Sequence, residues 1–348
     1  MISNNDFGQH ILSSEESDAT KFFAVLSIIL LTLLNCTGLK ESSFIQNILT
    51  FAKIILVISI FVIAMYYSLY HPAVFHENLS PAVAFKGTKL MGFGSSMVAC
   101  LWSFDGWGDM NFMLEELLDI RQLPNIVWTS LFTVTLIYIL ANLAYFSVLS
   151  TDEVMNSPAI AVQVGHTVSR SNIILPAIFS LGIALSCMGS NNGSIMTGGR
   201  SFFAVARSGL APRWLARVNK AGAPYASLLA QGFWTIVLLI LPGSNFSSLL
   251  SFFGPCSWFF YALSSSAVII LRSKEPDKKR TFKVMLYPWP PILVCGVALI
   301  IMLSSFYQEP FYTTLAFSFV LLSIPVFYVV KHYKNSSTGW QTIANNEI

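Results

Sequence analysis

Charge is scarce in this chain. Lysine and arginine number 20 and aspartate and glutamate 17, so 11% of the 348 residues are charged, against about 25% in soluble domains. That shortage excludes an ordinary soluble enzyme. Cysteine is also sparse: Cys36, Cys100, Cys187, Cys256 and Cys295 lie within or at the edge of apolar runs, and none forms a CxxC pair. Neither a disulfide framework nor a zinc centre is indicated. The first twenty residues carry Asp6, Glu15, Glu16 and Asp18, with no basic start and no apolar core, so they do not read as a cleavable signal peptide. No nucleophile constellation, metal cluster or phosphate loop is visible. The chain is therefore not read as an enzyme, and neither a cofactor nor a nucleic-acid partner is implied.

What the chain has instead is apolar length: 54% of it is hydrophobic. Windows of about 20 apolar residues, enough to cross a bilayer, predict nine spans at 22–39, 46–69, 92–116, 125–149, 173–199, 225–242, 247–271, 286–306 and 312–330. The expected organisation is an outer N-terminal segment 1–20, a transmembrane domain 21–331 and a cytoplasmic tail 332–348. Basic residues orient it. One set of loops holds Lys40, Arg121, Arg200, Arg207, Arg213, Arg217, Lys220, Arg272, Lys274, Lys278, Lys279, Arg280, Lys283, Lys331 and Lys334; the other holds Lys21, Lys86, Lys89 and Arg170. Fifteen against four, with Lys53 inside a span, predicts a cytoplasmic C-terminus and an outer N-terminus. The loop 273–284 reads first as a solvated positive-inside anchor, with contact to anionic lipid as the alternative. Segment 152–168 is too short and polar to span and reads as an outer loop with an amphipathic helix; His166 there reads as an exposed histidine rather than a ligand.

The third span is the most informative. Met91 to Leu114 is long and apolar, yet its middle reads Trp102-Ser103-Phe104-Asp105-Gly106-Trp107-Gly108-Asp109. A carboxylate near the bilayer centre costs roughly 2.5–3.5 kcal/mol, and glycine there loosens the helix. Irregular backbone survives at that depth only when buried in protein or lining a polar cavity. The pattern predicts a broken helix of the kind that holds substrate in transporters. Asp105 either faces the substrate path, attracting a cationic group, or caps amides at the break. Asp109 sits where a second half-helix would start, which favours a capping role. Trp102 is either a lid over substrate or a lipid- or bundle-facing aromatic. The carbonyls of Trp102, Ser103 and Phe104 form a negative dipole end suited to an ammonium group. Glu115 and Glu116 read as solvated acids at the inner mouth. Arg200 and Arg207 read as snorkelling anchors, with an inner gate as the alternative. Of five sequons, at Asn35, Asn78, Asn192, Asn245 and Asn335, only Asn78 and Asn245 fall on the predicted outer side as glycosylation candidates.

These residues carry a resemblance. Leu101 to Trp107, followed by Asn111-Phe112 and Glu115-Glu116, resembles the broken sixth helix of the L-type amino acid transporters. Those proteins are the light subunits of heteromeric amino acid transporters, in the amino acid–polyamine–organocation superfamily. Asn142 to Phe146 with Leu149-Ser150-Thr151 resembles the end of the family's seventh helix. Gly189-Ser190 with Asn192-Gly193-Ser194, then Arg200 and Phe202-Phe203, resembles the eighth, and 271–284 the loop after the tenth. The resemblance runs from about Lys21 to Val330.

It implies an all-α integral membrane fold of inverted five-helix repeats with two appended helices, and sodium-independent exchange of L-amino acids at the plasma membrane. It further implies that backbone groups at 102–106 (Trp102, Ser103, Phe104, Asp105 and Gly106) meet the substrate amine and that Trp102 gates the site. Trp102 and Asp105 are more similar to the cystine and dibasic branch, which points to neutral or cationic substrates. Two departures are expected to matter. The nine spans match the family's fourth to twelfth, and no Gly-Ser-Gly-Ile/Val run for the substrate carboxylate occurs. The expected reading is thus an N-terminally short exchanger, or else a transport-inactive membrane protein of the same fold acting by association. The loop before the family's fourth helix, here Ile11 to Thr20, has no cysteine, so any heavy-chain glycoprotein partner is expected to bind without the inter-chain disulfide.

Overall fold

The computed structural model describes residues 18–80, 100–117, 119–169, 172–240, 246–280 and 282–336. Among the described residues the regular structure is entirely helical. The α-helices are α1 (Asp18–Thr37), α2 (Leu39–Tyr70), α3 (Pro72–Asn78), α4 (Leu123–Val148), α5 (Thr151–Asn156), α6 (Ile160–Ser169), α7 (Ile174–Arg207), α8 (Tyr225–Ile240), α9 (Phe246–Lys274), α10 (Trp289–Gln308) and α11 (Pro310–Ser336). Seven helical stretches, in α1, α2, α4, α7, α9, α10 and α11, are long and apolar enough to cross a membrane. They make this a multi-pass membrane protein. α2 and α7, with 32 and 34 residues, run to about 50 Å, well past a hydrocarbon core of about 30 Å.

Two of the nine expected spans look different. The sixth, 225–242, is the 16-residue α8, about 24 Å long and short of a full crossing; residues 241–245 lie outside the described residues. The third, 92–116, begins outside them and is not a continuous helix in its described part. The expected amphipathic outer loop 152–168 is two short helices. α5 starts at a capping box in which Ser150 and Glu153 satisfy each other's backbone amides. α6 turns Ala161, Val164 and Gly165 into the protein and leaves His166 exposed, as an amphipathic helix does. Of the expected outer segment 1–20 and tail 332–348, residues 1–17 and 337–348 lie outside the described residues, as do Arg170, Lys86, Lys89 and Asn245.

The described chain falls into two units. The larger holds 23–206 and 213–236. Its apolar core joins α2, α4, α6 and α7 through Ile60, Ala64, Ala144, Val148, Val164 and Phe179. Much of the remaining apolar surface points outward: Trp128, Phe132, Leu136 and Ile139 form an exposed stripe along α4, at the spacing of one helix face. Lipid tails cover such a stripe as well as protein would, so in a bilayer helix association relies on small residues and interhelical hydrogen bonds.

Both devices are present. Gly232 of α8 lies against α1 so closely that a Cβ there would sit 2.8 Å from Thr32 Oγ1. A buried polar chain ties α1, α2 and α7. Asn35 Nδ2 donates to the Asn192 Oδ1 (2.8 Å), Ser42 Oγ donates to Asn35 Oδ1 (2.6 Å), and Asn192 Nδ2 donates to Gln46 Oε1 (2.8 Å). Asn35, Ser42 and Asn192 are buried, so the sequons at Asn35 and Asn192 are structural.

The smaller unit holds residues up to 22, 207–212 and 237–348. Its helices α9, α10 and α11 pack through Phe259, Phe306 and Phe317, with the last two rings stacked at 5.4 Å. The Ser248 hydroxyl donates to the Tyr312 hydroxyl at 3.2 Å.

Asn192→Leu takes one acceptor from the Asn35 amide, which keeps Leu31 O at 2.8 Å, and the donor from Gln46 Oε1. Leaving buried polar groups unpaired costs about 1–3 kcal/mol, so the thermal midpoint of the purified variant should fall by several degrees in a fluorescence-detected melt. An unchanged midpoint would refute the structural role of this chain of hydrogen bonds.

Candidate functional site

The broken helix is a feature of the local backbone. A helical stretch at 100–103 ends in turns over 104–108, and a 3-10 helix, Asp109–Glu116, follows. The last helical carbonyls are closed by short-range bonds: Phe104 N donates to Leu101 O (3.2 Å) and Asp105 N to Trp102 O (2.9 Å). Gly106 then takes φ +101°, a conformation that L side chains rarely adopt. Past it, Asp109 N donates to Gly106 O (3.1 Å) and Asn111 N to Gly108 O (3.0 Å), which starts the second segment. Asp109 is its first residue, as expected for an acid at a helix start, but the segment is 3-10 rather than α-helical.

Two helices clamp this break. From α4, Tyr138 donates its hydroxyl to the Ser103 carbonyl at 2.6 Å and sets its ring edge-on to Phe104 at 5.1 Å. From α7, the buried Thr197 hydroxyl lies 3.4 Å from an Asp109 carboxylate oxygen, and 3.1 Å from the Gly193 carbonyl that shares its proton. Asp105 is exposed on the turn, near enough to Asp109 for their charges to interact. Trp102 is 41% exposed. The five predicted residues, Trp102 to Gly106, thus share one turn, with the Ser103 carbonyl engaged by Tyr138 and the Asp105 side chain outward.

A second polar pair sits between α2 and α7, where Lys53 Nζ donates to Ser190 Oγ at 3.0 Å. An ammonium inside a span is a functional signal in its own right, and in the sequence Lys53 counts only as a charge within a span. Tyr138 and Thr197 were harder to find. A tyrosine and a threonine within apolar helices are unremarkable until the break is seen to need them. Arg200 turns back on its own helix, with Nη1 donating to Met196 O at 3.0 Å, while Arg207 is exposed. Glu115 is exposed at the end of the 3-10 segment. The Asn78 amide nitrogen is buried and finds no hydrogen-bond partner among the described residues.

Tyr138→Phe removes the bond to Ser103 O and keeps the ring. Amide hydrogen exchange at 104–108 should then quicken by about tenfold, in line with roughly 1–1.5 kcal/mol for one hydrogen bond, while exchange in α10 stays unchanged. Unaltered exchange at the break would show that Tyr138 does not hold it.

Similarity to known proteins extends over the whole of this architecture. A family model described as amino acid permease matches residues 7–335. The b(0,+)-type amino acid transporter 1 of Mus musculus is 30% identical over 326 residues, covering 92% of this chain and 64% of the relative. The large neutral amino acids transporter small subunit 2 of Homo sapiens is 29% identical over 321 residues, 90% of this chain and 58% of the relative. The cystine/glutamate transporter of Homo sapiens is 28% identical over 313 residues, 89% and 60% respectively. The chain spans about three fifths of the length of the curated relatives it matches. Sequence similarity across 7–335, apolar helices that cross a membrane and a helix broken at Gly106 lead to one assignment: this chain belongs to the amino acid permease family.

Proposed function

We infer that this protein takes part in amino acid transport, and that the break at 102–106 is where an L-amino acid is held. The observation that carries the reading is the turn at 104–108, with Gly106 in a left-handed conformation and Asp105 exposed beside it. The carbonyl end of a half-helix attracts an ammonium group, and an aspartate on the same turn favours substrates with additional positive charge. Trp102, one turn earlier and partly exposed, is the gate. Neutral and cationic L-amino acids are the substrate class. Sodium-independent exchange is the proposed mode, as the resemblance to the L-type amino acid transporters implies.

The architecture proposed for this activity is nine spans within an inverted-repeat transporter fold, the transporter domain covering 21–331. The fifteen-to-four distribution of basic residues supports an N-terminus outside and a C-terminus in the cytoplasm, and the resemblance to plasma-membrane transporters makes that membrane the proposed location. A single-span heavy-chain glycoprotein is the proposed partner. Because Ile11–Thr20 has no cysteine, a complex captured by affinity purification should survive reductant; release of the partner on adding dithiothreitol would refute an association free of a disulfide.

The transport reading is tested by uptake into proteoliposomes. Loss of a charged hydrogen bond is worth roughly 1.5–3 kcal/mol, so Asp105→Asn should lower arginine uptake by at least about tenfold and leucine uptake far less. Equal losses would remove Asp105 from charge recognition. The alternative, a membrane protein of this fold that acts by association, requires that the 348-residue chain show no saturable uptake of either substrate.

A further inference from the structure

The connection between α9 and α10 is a basic basin beside an apolar lip. α9 ends with Arg272 and Lys274 in its last turn, where positive charge complements the helix dipole. Beyond it the chain folds back on itself. Arg280 Nη2 donates to the carbonyls of Glu275 (2.8 Å) and Leu271 (3.2 Å), and Nη1 to Lys278 O (3.2 Å), stapling the loop to the helix end. The Arg272 guanidinium lies 4.1 Å over the Tyr287 ring. These contacts form an open cavity of about 780 Å3, lined among others by Arg272, Lys278, Lys279, Arg280, Lys283 and Tyr287.

Its charge is one-sided. Asp277 is the single acid in the lining, against five basic residues. Glu275 pairs with Lys278 at 2.7 Å, and that hydrogen bond and charge hold its carboxyl below the usual range. Lys279 and Lys283 are exposed and form no ion pair among the described residues. A positive-inside anchor needs only scattered charge. Here the backbone is folded so that several cations meet in one hollow.

The same connection presents apolar side chains outward. Phe282 is 54% exposed, Met285 79%, Leu286 80% and Trp289 72%. Leucine, methionine and tryptophan so exposed next to a lysine cluster are out of place in water. They suit the depth at which acyl chains meet headgroups, where tryptophan is enriched and clustered basic residues attract anionic lipid.

We propose that this basin binds the polyanionic phosphate headgroup of a membrane phospholipid, with Phe282, Met285, Leu286 and Trp289 seating the connection in the leaflet. Lys279 and Lys283 contact the phosphates, and Arg272 and Arg280, held by Tyr287 and the loop carbonyls, form the floor. The site rests on the proposed cytoplasmic placement of 273–284 only for which leaflet supplies the lipid; it does not depend on transport.

The test is native mass spectrometry of the full chain in detergent, with phosphatidylinositol bisphosphate and phosphatidylcholine added in equal amounts. The bisphosphate lipid should dominate the bound species. The double variant Lys279→Gln/Lys283→Gln should bind it roughly tenfold to thirtyfold more weakly, and Lys220→Gln, a basic residue elsewhere, should bind as the unaltered chain does. Millimolar inorganic phosphate should not displace the lipid. Equal occupancy by phosphatidylcholine, unchanged binding in the double variant, or an equal loss in Lys220→Gln would overturn the site. Displacement by inorganic phosphate would overturn the lipid as occupant and leave a soluble phosphate in its place.

Discussion

Hydrocarbon offers a backbone amide or carbonyl no partner, so a helix that breaks inside a membrane must be repaired by the rest of the protein. The Tyr138 hydroxyl on the Ser103 carbonyl is that repair. It lets the helix stop at 103 while Gly106 turns the chain and the 3-10 segment resumes at Asp109. A neighbouring helix thus satisfies a carbonyl at the end of the helical stretch. Ser103 O keeps a second lone pair, and Asp105 lies exposed on the same turn.

The clamp is only as steady as the helices that carry it. α4 is held to α2 and α6 by small residues at the core, Ala64, Ala144 and Ala161 among them, which let backbones approach. α7, which brings Thr197 to Asp109, is tied to α1 and α2 by the hydrogen-bonded chain through Asn192, Asn35, Ser42 and Gln46. Apolar contact alone would leave α7 free to rotate or slide, because lipid and leucine are equivalent neighbours. Directional amide bonds remove that freedom. The polar residues that look costly in an apolar protein are thus what sets the register of its helices.

Much of this was legible in the amino-acid order. Seven of the expected crossings emerge as long apolar helices, since length and hydropathy are one-dimensional properties. The break was equally readable, because two aspartates and two glycines within 102–109 cannot continue a lipid-facing helix cheaply. What the order of residues did not supply was neighbours. Segment 152–168 reads as an outer loop with an amphipathic helix, and that helix, α6, buries Ala161 and Val164 against the core. Asn35 and Asn192, set aside as glycosylation sites, are bonded to each other.

The sequence by itself determined that this is a membrane protein, where its helices lie and at which residue one of them fails. Those outcomes follow from free energies that each segment meets alone: transfer into hydrocarbon, glycine's conformational freedom and the cost of a charge at depth. Only the tertiary structure decided which side chains answer the failure. Tyr138 reaches Ser103 across 35 positions and Thr197 reaches Asp109 across 88. Such pairings depend on helix rotation and register, which no local pattern encodes.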